Sequence, residues 1–151
     1  MAILLLLSLT AVCVWTDLSD RKIYNNVLLP VLAAAFLLHG LQAGLSGFGY
    51  SFLGLFTGLG LLIIPYLLGG MGAGDVKLLG VIGALMGPAF VFDAFLYTAL
   101  TGGLIALVIV SIRGRLFRAG WNGDRWLKAF PYGVPIAIGT LLALMTGGGT
   151  G

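Results

Sequence analysis

The sequence is poor in the side chains that build most metal and nucleophilic sites. Its 151 residues contain no glutamate, one histidine, His39, and one cysteine, Cys13. A single cysteine excludes a disulfide within the chain. Without a cysteine–histidine cluster, a structural zinc site and a two-histidine metalloprotease site are excluded as well. We therefore expect no metal, no cofactor, no cysteine nucleophile and no catalytic triad.

Charge is also scarce, at 9% of the chain, whereas hydrophobic residues make up 60%. A soluble domain of this size covers its surface with polar groups, and this chain does not have them. The composition indicates a polytopic membrane protein whose surroundings are the lipid bilayer. The 25 glycines fit this interpretation, because small residues let helix backbones approach closely in a membrane. Gly54 and Gly58 have the spacing of such a contact.

Six apolar segments predict an all-α bundle of about six transmembrane helices, which forms a single domain over residues 1–151. The segments cover residues 1–16, 27–45, 51–68, 76–88, 94–112 and 131–145. The first is slightly short for a span of ~17–25 residues, so we expect its helix to continue beyond residue 16. Turns on the far side are expected at residues 46–50 and near Asp93.

All eight basic residues fall on one side of this arrangement. They follow the first, third and fifth segments, and the loops after the second and fourth carry none. By the positive-inside rule, the basic side is cytoplasmic and both termini lie outside. We therefore expect a multi-pass protein of the cytoplasmic (inner) membrane. Because topology explains the basic excess, we expect no nucleic acid partner.

Two aspartates lie at the cytoplasmic ends of apolar segments. Asp17 ends the first segment, and Asp75 opens the fourth after the glycines Gly72 and Gly74. A carboxylate in such apolar surroundings is costly and is therefore a candidate functional group. Asp20 competes with Asp17, but its basic neighbours indicate a solvated position.

A pair of nearby carboxylates can hydrolyse a peptide. The two groups do not readily both ionise, so one keeps a proton near neutral pH. The ionised member takes a proton from water while the protonated one polarises a carbonyl. Gly72 and Gly74 would allow positive φ and leave room for a substrate backbone beside Asp75. Lys77 would either keep Asp75 ionised or reach the membrane interface as an anchor.

Other interpretations remain open on the residues alone. An aspartate at the start of a helix also caps it, since the helix dipole favours negative charge there. The aspartates would alternatively be ion sites of a small proton- or ion-coupled transporter, although transport carboxylates commonly lie near the midplane. A third interpretation is a structural membrane subunit. We expect His39 to be a packed residue rather than a ligand.

Three separated motifs together resemble the type IV prepilin peptidases, membrane aspartyl proteases of the Gly-x-Gly-Asp class. They are the stretch from Asp17 to Asn25, Gly72-Ala73-Gly74-Asp75-Val76-Lys77, and Pro131-Tyr132-Gly133-Val134-Pro135. In the first motif of the family, a catalytic aspartate is followed eight positions later by Asn or Asp, which selects Asp17 over Asp20. Tyr24 departs from the family pattern, because it stands where proline is usual.

The resemblance implies a catalytic pair and four supporting residues: Asp17 and Asp75, with Gly72, Gly74, Lys77 and Asn25. It implies cleavage of the leader of a prepilin-like substrate after a glycine, on the cytoplasmic side. Larger members add an N-terminal methyltransferase domain, usually with a cysteine-based zinc site. We expect a peptidase without that domain, because Met1 begins directly in an apolar segment and the chain has one cysteine. The short form resembles the enzymes of tight-adherence (Flp) pilus systems, and the archaeal preflagellin type remains open.

Overall fold

The computed structural model describes residues 1–20, 23–68, 71–114 and 132–147, and these residues form five α-helices. The helices are α1 Ala2–Asp20, α2 Asn25–Leu67, α3 Ala73–Met86, α4 Pro88–Gly114 and α5 Gly133–Met145. The described residues contain no strand, so the all-α prediction is confirmed. The expected continuation of the first helix beyond residue 16 is also confirmed. Most of the basic residues used for the topology prediction lie outside the described ranges.

The 43 residues of α2 form two helical arms, and the chain reverses direction between them at Gly44, where φ is 60°. Across this reversal His39 Nδ1 lies 2.7 Å from Ser51 Oγ. In a straight helix these residues would be ~18 Å apart. The turn predicted at residues 46–50 is therefore wrong: one glycine at positive φ reverses the chain, and residues 46–50 are already helical. His39 is a packed residue, as expected.

The second reversal, between α3 and α4, takes the single residue Gly87, with φ 93°. Pro88 then begins α4, a position that suits proline because the first helical residue needs no N–H partner. The turn predicted near Asp93 is wrong for this reason. Asp93 lies inside α4, half-buried, in its second turn.

Among the described residues, three helical stretches are long and apolar enough to cross a membrane: Ala2–Ser19, Asn25–Leu67 and Pro88–Val108. Because α2 reverses at Gly44, its two arms supply passes of ~28 and ~34 Å at 1.5 Å per residue. Helices α3 and α5 have 14 and 13 residues. They are shorter than the ~30 Å hydrocarbon core of a bilayer. The described helices are thus compatible with about six spans, and that number stays a prediction.

Helix α3 is the centre of the bundle and contacts the other four helices. Residues 78–85 are all buried. Its contact with the second arm of α2 is close because Gly54 packs on the backbone of Gly83, and Gly58 packs on the backbone of Leu79. A Cβ at either α2 glycine would overlap a main-chain carbonyl. The predicted use of this glycine pair in close helix packing is confirmed, and it fixes α3 with Asp75 at its start.

The outer surface of the bundle is apolar. Large exposed side chains on the outer helices include Leu4, Trp15, Leu29, Phe56 and Leu100. Contiguous apolar surface of this kind is unusual on a protein in water and suits contact with lipid tails. Cys13, in contrast, is buried, as expected for a small core residue.

Candidate active site

Asp17 continues the buried face of α1. Leu6, Leu9 and Cys13 follow one another on this face at helical spacing, and Asp17 lies one turn further, with 6% of its surface exposed. The periodicity of the helix therefore directs this carboxylate into the bundle rather than toward solvent. A buried carboxylate is stable only with partners that hold its charge or its proton.

One partner of Asp17 comes from the far end of the chain. The main-chain N–H of Gly133, the first residue of α5, donates a 2.9 Å hydrogen bond to Asp17 Oδ2. This donor is one of the N–H groups that a helix start leaves without an intrahelical acceptor. A Cβ at Gly133 would lie 2.6 Å from Asp17 Oδ2 and 3.0 Å from its Cγ. The start of α5 is thus fitted against the carboxylate in a way that only glycine permits.

Asp75 lies in the first turn of α3 and is 8% exposed. Its Oδ2 accepts a 3.2 Å hydrogen bond from the N–H of Gly72. The N–H of Asp75 in turn donates to the carbonyl of Gly72, also at 3.2 Å. This reciprocal pair caps α3, so the capping role considered from the sequence is confirmed. Capping does not exclude a second role, because the same side chain faces a cavity.

A cavity of about 350 Å³ brings the two aspartates together. Its lining residues are Asp17, Ile23, Tyr24, Asn25, Gly72, Gly74 and Asp75. Both predicted catalytic residues and three of the four supporting residues therefore line one space. Tyr24, which replaces the usual proline of the resemblance, is part of this lining.

Lys77 lies at the exposed rim of the cavity. Its Nζ donates a 3.2 Å hydrogen bond to Asn25 Oδ1, at the start of α2. The sequence suggested that Lys77 keeps Asp75 ionised or anchors the membrane interface. In the structure Lys77 contacts another predicted supporting residue, which joins the first and second motifs, and the two suggested roles stay predictions.

The electrostatic setting of Asp75 favours its protonated form. Asp75 precedes the apolar part of α3, and its pKa is raised from 3.8 to about 6. Burial is the main cause and the charge of Asp17 the second, while the Gly72 hydrogen bond acts in the opposite direction. Burial, and then Asp75, raise the pKa of Tyr132 as well, so Tyr132 is close enough to feel this carboxylate.

The two glycines of the second motif do not adopt the positive φ that was expected. Gly72 has φ −80° and ψ 152°, and Gly74 lies within the first turn of α3. What Gly74 provides is space, because a Cβ there would lie 3.0 Å from the Cβ of Ile23. The expected room for a substrate backbone beside Asp75 stays a prediction.

Gly133 had no predicted role at the site, although it belongs to the motif at residues 131–135. The signal that would have found it is a glycine directly before an apolar helix, on the same predicted side as the two aspartates. The described residues contain no group of three or more His, Cys, Asp or Glu side chains that could hold a metal ion. The prediction that the chain uses no metal is not tested by this.

The family of the chain can be identified by its similarity to known proteins. Residues 4–107 match the type IV leader peptidase family. The chain is 34% identical over 147 residues to the prepilin leader peptidase/N-methyltransferase of Bacillus subtilis (strain 168), a match that covers 93% of this chain and 54% of that protein. The chain thus spans about half the length of this relative. No solved structure matches the present chain. Since the family match covers more than half of the sequence and includes both buried aspartates, the chain belongs to the type IV leader peptidase family.

Proposed function

We propose that this protein is a membrane aspartyl endopeptidase that removes the leader peptide of a prepilin-like substrate. The observation that carries the proposal is the shared cavity of Asp17 and Asp75, two buried carboxylates from different helices. Burying two acids at one cavity costs stability, and such pairs of perturbed acids are concentrated at functional sites. Membership of a leader peptidase family supports peptide hydrolysis as the task of this pair.

The reaction needs one proton shared by the two aspartates. The ionised aspartate takes a proton from water, whose oxygen bonds to the carbonyl carbon, while the other aspartate gives its proton to the carbonyl oxygen. In the resulting diol the C–N bond then breaks. The nitrogen takes the proton now held by the first aspartate, and a diol hydroxyl returns one to the second. One water is consumed, an acid and an amine leave, and the pair regains its starting protonation.

The location of the cavity suits a substrate that is itself a membrane helix. The cavity lies at the end of the bundle where α1 ends and α2, α3 and α5 begin. By the charge distribution in the sequence, this end faces the cytoplasm. The apolar helix of the substrate would lie in the bilayer beside the enzyme, and its polar leader would reach the aspartates and be cut after a glycine.

The proposal extends to the type of enzyme. We assign peptidase activity, without methyl transfer, to these 151 residues, because a cysteine-based zinc site needs more than the one cysteine they contain. The tight-adherence (Flp) pilus systems are the proposed setting. Lipid and the prepilin-like protein are the proposed partners.

The test is leader cleavage in proteoliposomes that contain the protein and a prepilin with a glycine before its apolar helix. Asp17→Asn and Asp75→Asn should each lower the cleavage rate by about 10²–10⁴-fold, the usual contribution of general acid–base catalysis. Asp93→Asn is the matched control, since Asp93 lies in α4 outside the cavity lining. Normal cleavage by either cavity variant would rule out the pair. Proton flux that depends on Asp75, without cleavage, would point to a transporter instead.

A further inference from the structure

The two carboxylates of the cavity both accept a hydrogen bond from a main-chain N–H, but the two donors lie in different places relative to the acid. Asp17 accepts its bond at 2.9 Å from the N–H of Gly133, which belongs to another helix. Asp75 accepts a longer bond, 3.2 Å, from the N–H of Gly72, three residues earlier in its own chain segment. The pair is therefore asymmetric, and the asymmetry bears on which member carries the shared proton.

We propose that Gly133 is a positioning residue that keeps Asp17 ionised, so that Asp17 is the base that activates water and Asp75 is the acid. This inference rests on the proposed peptidase function and assigns the two roles within it. A hydrogen bond from a main-chain N–H stabilises a carboxylate more than its protonated form.

The fit between Gly133 and Asp17 makes this contact a strict one. Because a Cβ at position 133 would lie 2.6 Å from Asp17 Oδ2, the glycine lets the carboxylate lie directly on the start of α5. The partial positive charge of a helix start favours an anion there. Asp75 is also near a helix start, yet its pKa stands at about 6, so its own donor does not outweigh burial and the charge of Asp17.

Four described titratable groups come from the elements packed around Asp17. They are Cys13 on α1, Asp75 on α3, Tyr24 before α2 and Tyr132 before α5. Lys77, at the rim, is bonded to Asn25.

The first test compares Gly133→Ala with two other glycine variants. The added methyl group displaces the Asp17 carboxylate, so we expect kcat to fall about tenfold or more, with little change in KM. In the pH profile of kcat, the acidic limb should move up by about one pH unit. Gly102→Ala should change nothing, because its Cβ would meet Pro135 at an ordinary 3.6 Å. Gly139→Ala overlaps Thr98 within the α4–α5 contact and should lower stability without moving the limb. An unshifted limb in Gly133→Ala would overturn the proposal.

A second test does not depend on cleavage. In the Asp75→Asn background, Asp17 is the remaining acid of the pair, and its protonation can be followed by the infrared carboxyl band during a pH titration. Adding Gly133→Ala should raise the midpoint by about one pH unit. An unchanged midpoint contradicts the role of Gly133 even if the enzyme cleaves normally. A raised midpoint in a protein that cleaves nothing supports Gly133 and contradicts the peptidase proposal.

Folding of the variant provides its own check. If Gly133→Ala does not fold, Asp17→Ala in the same chain should restore folding, because it removes the two atoms nearest to the new methyl group. Failure of this rescue would show that the cost of Gly133→Ala lies elsewhere, and would overturn the proposal.

Discussion

Lys77 donates a hydrogen bond to Asn25 at the rim of the cavity, which joins residues 52 positions apart. Lys77 projects from the first turns of α3, two residues after Asp75, and Asn25 begins α2 directly after two other cavity residues. The bond thus connects the two walls of the cavity. Two residues that the sequence offered as separate supports act as one contact.

A double-mutant cycle should detect this contact. Both side chains are exposed, so Lys77→Met and Asn25→Ala should each lower the free energy of unfolding by only about 0.5–1 kcal/mol. The double variant should cost about as much as either single change, because each one removes the same bond. The measurement is thermal or denaturant unfolding in detergent. Asn26→Ala, at the exposed neighbour of Asn25, is the control and should add to Lys77→Met without coupling.

The raised pKa of Asp75 predicts a stability that depends on pH. Its folded-state pKa of about 6 lies above the ordinary 3.8, so the folded protein binds this proton more tightly than the unfolded chain. The stabilisation is complete below about pH 3.8 and is lost as pH rises through about 6. Asp75→Asn should therefore gain stability relative to the wild type above pH 6, by up to about 3 kcal/mol.

Melting temperatures from pH 4 to 8 provide the measurement for this prediction. The difference between wild type and Asp75→Asn isolates the one carboxyl group from the others that titrate. If melting temperature depends on pH in the same way for wild type and Asp75→Asn, the raised pKa of Asp75 is not the cause of the pH dependence.

The site residues that could be predicted from the sequence are those whose neighbours along the chain already make them unfavourable. Asp17 and Asp75 are conspicuous because an acid at the end of an apolar run is costly wherever the run packs. The helices were found for the same reason, since long apolar segments have few alternatives in a bilayer. The turns were misplaced because one glycine at positive φ reverses the chain at Gly44 and at Gly87, and neither needed the longer loops that were assumed.

The roles of Gly133 and Gly74 could not be predicted from the sequence, because they depend on contacts between distant elements. Gly133 lies 116 positions from Asp17, and its place before an apolar segment does not say which carboxylate it contacts. Likewise, the glycines before Asp75 suggested unusual backbone angles. The structure shows that Gly74 is small because Ile23 packs against it, which is a tertiary constraint.

The close packing of α2 on α3 should be sensitive to a single methyl group. Gly54→Ala and Gly83→Ala each place a Cβ against a main-chain carbonyl of the facing helix. Forcing the helices apart should cost about 1–3 kcal/mol of unfolding free energy, as overpacking of a close core generally does. Gly60→Ala, in the same arm of α2 with open space around it, should be neutral or slightly stabilising. The measurement is unfolding in detergent, and equal unfolding free energies for the three variants would contradict this packing.

Gly74 tests whether space beside Asp75 matters for cleavage. It lines the cavity, and a Cβ there would press on Ile23 at 3.0 Å, so the neighbouring wall has to shift by a few tenths of an ångström. A small shift costs little stability but narrows the approach to the aspartates. Gly74→Ala should therefore lower kcat/KM for prepilin about tenfold, at a melting temperature close to that of the wild type. Gly103→Ala, on α4 with nothing within 4 Å, is the matched control and should cleave normally. Equal kcat/KM for the two variants would show that the substrate does not pass beside Gly74.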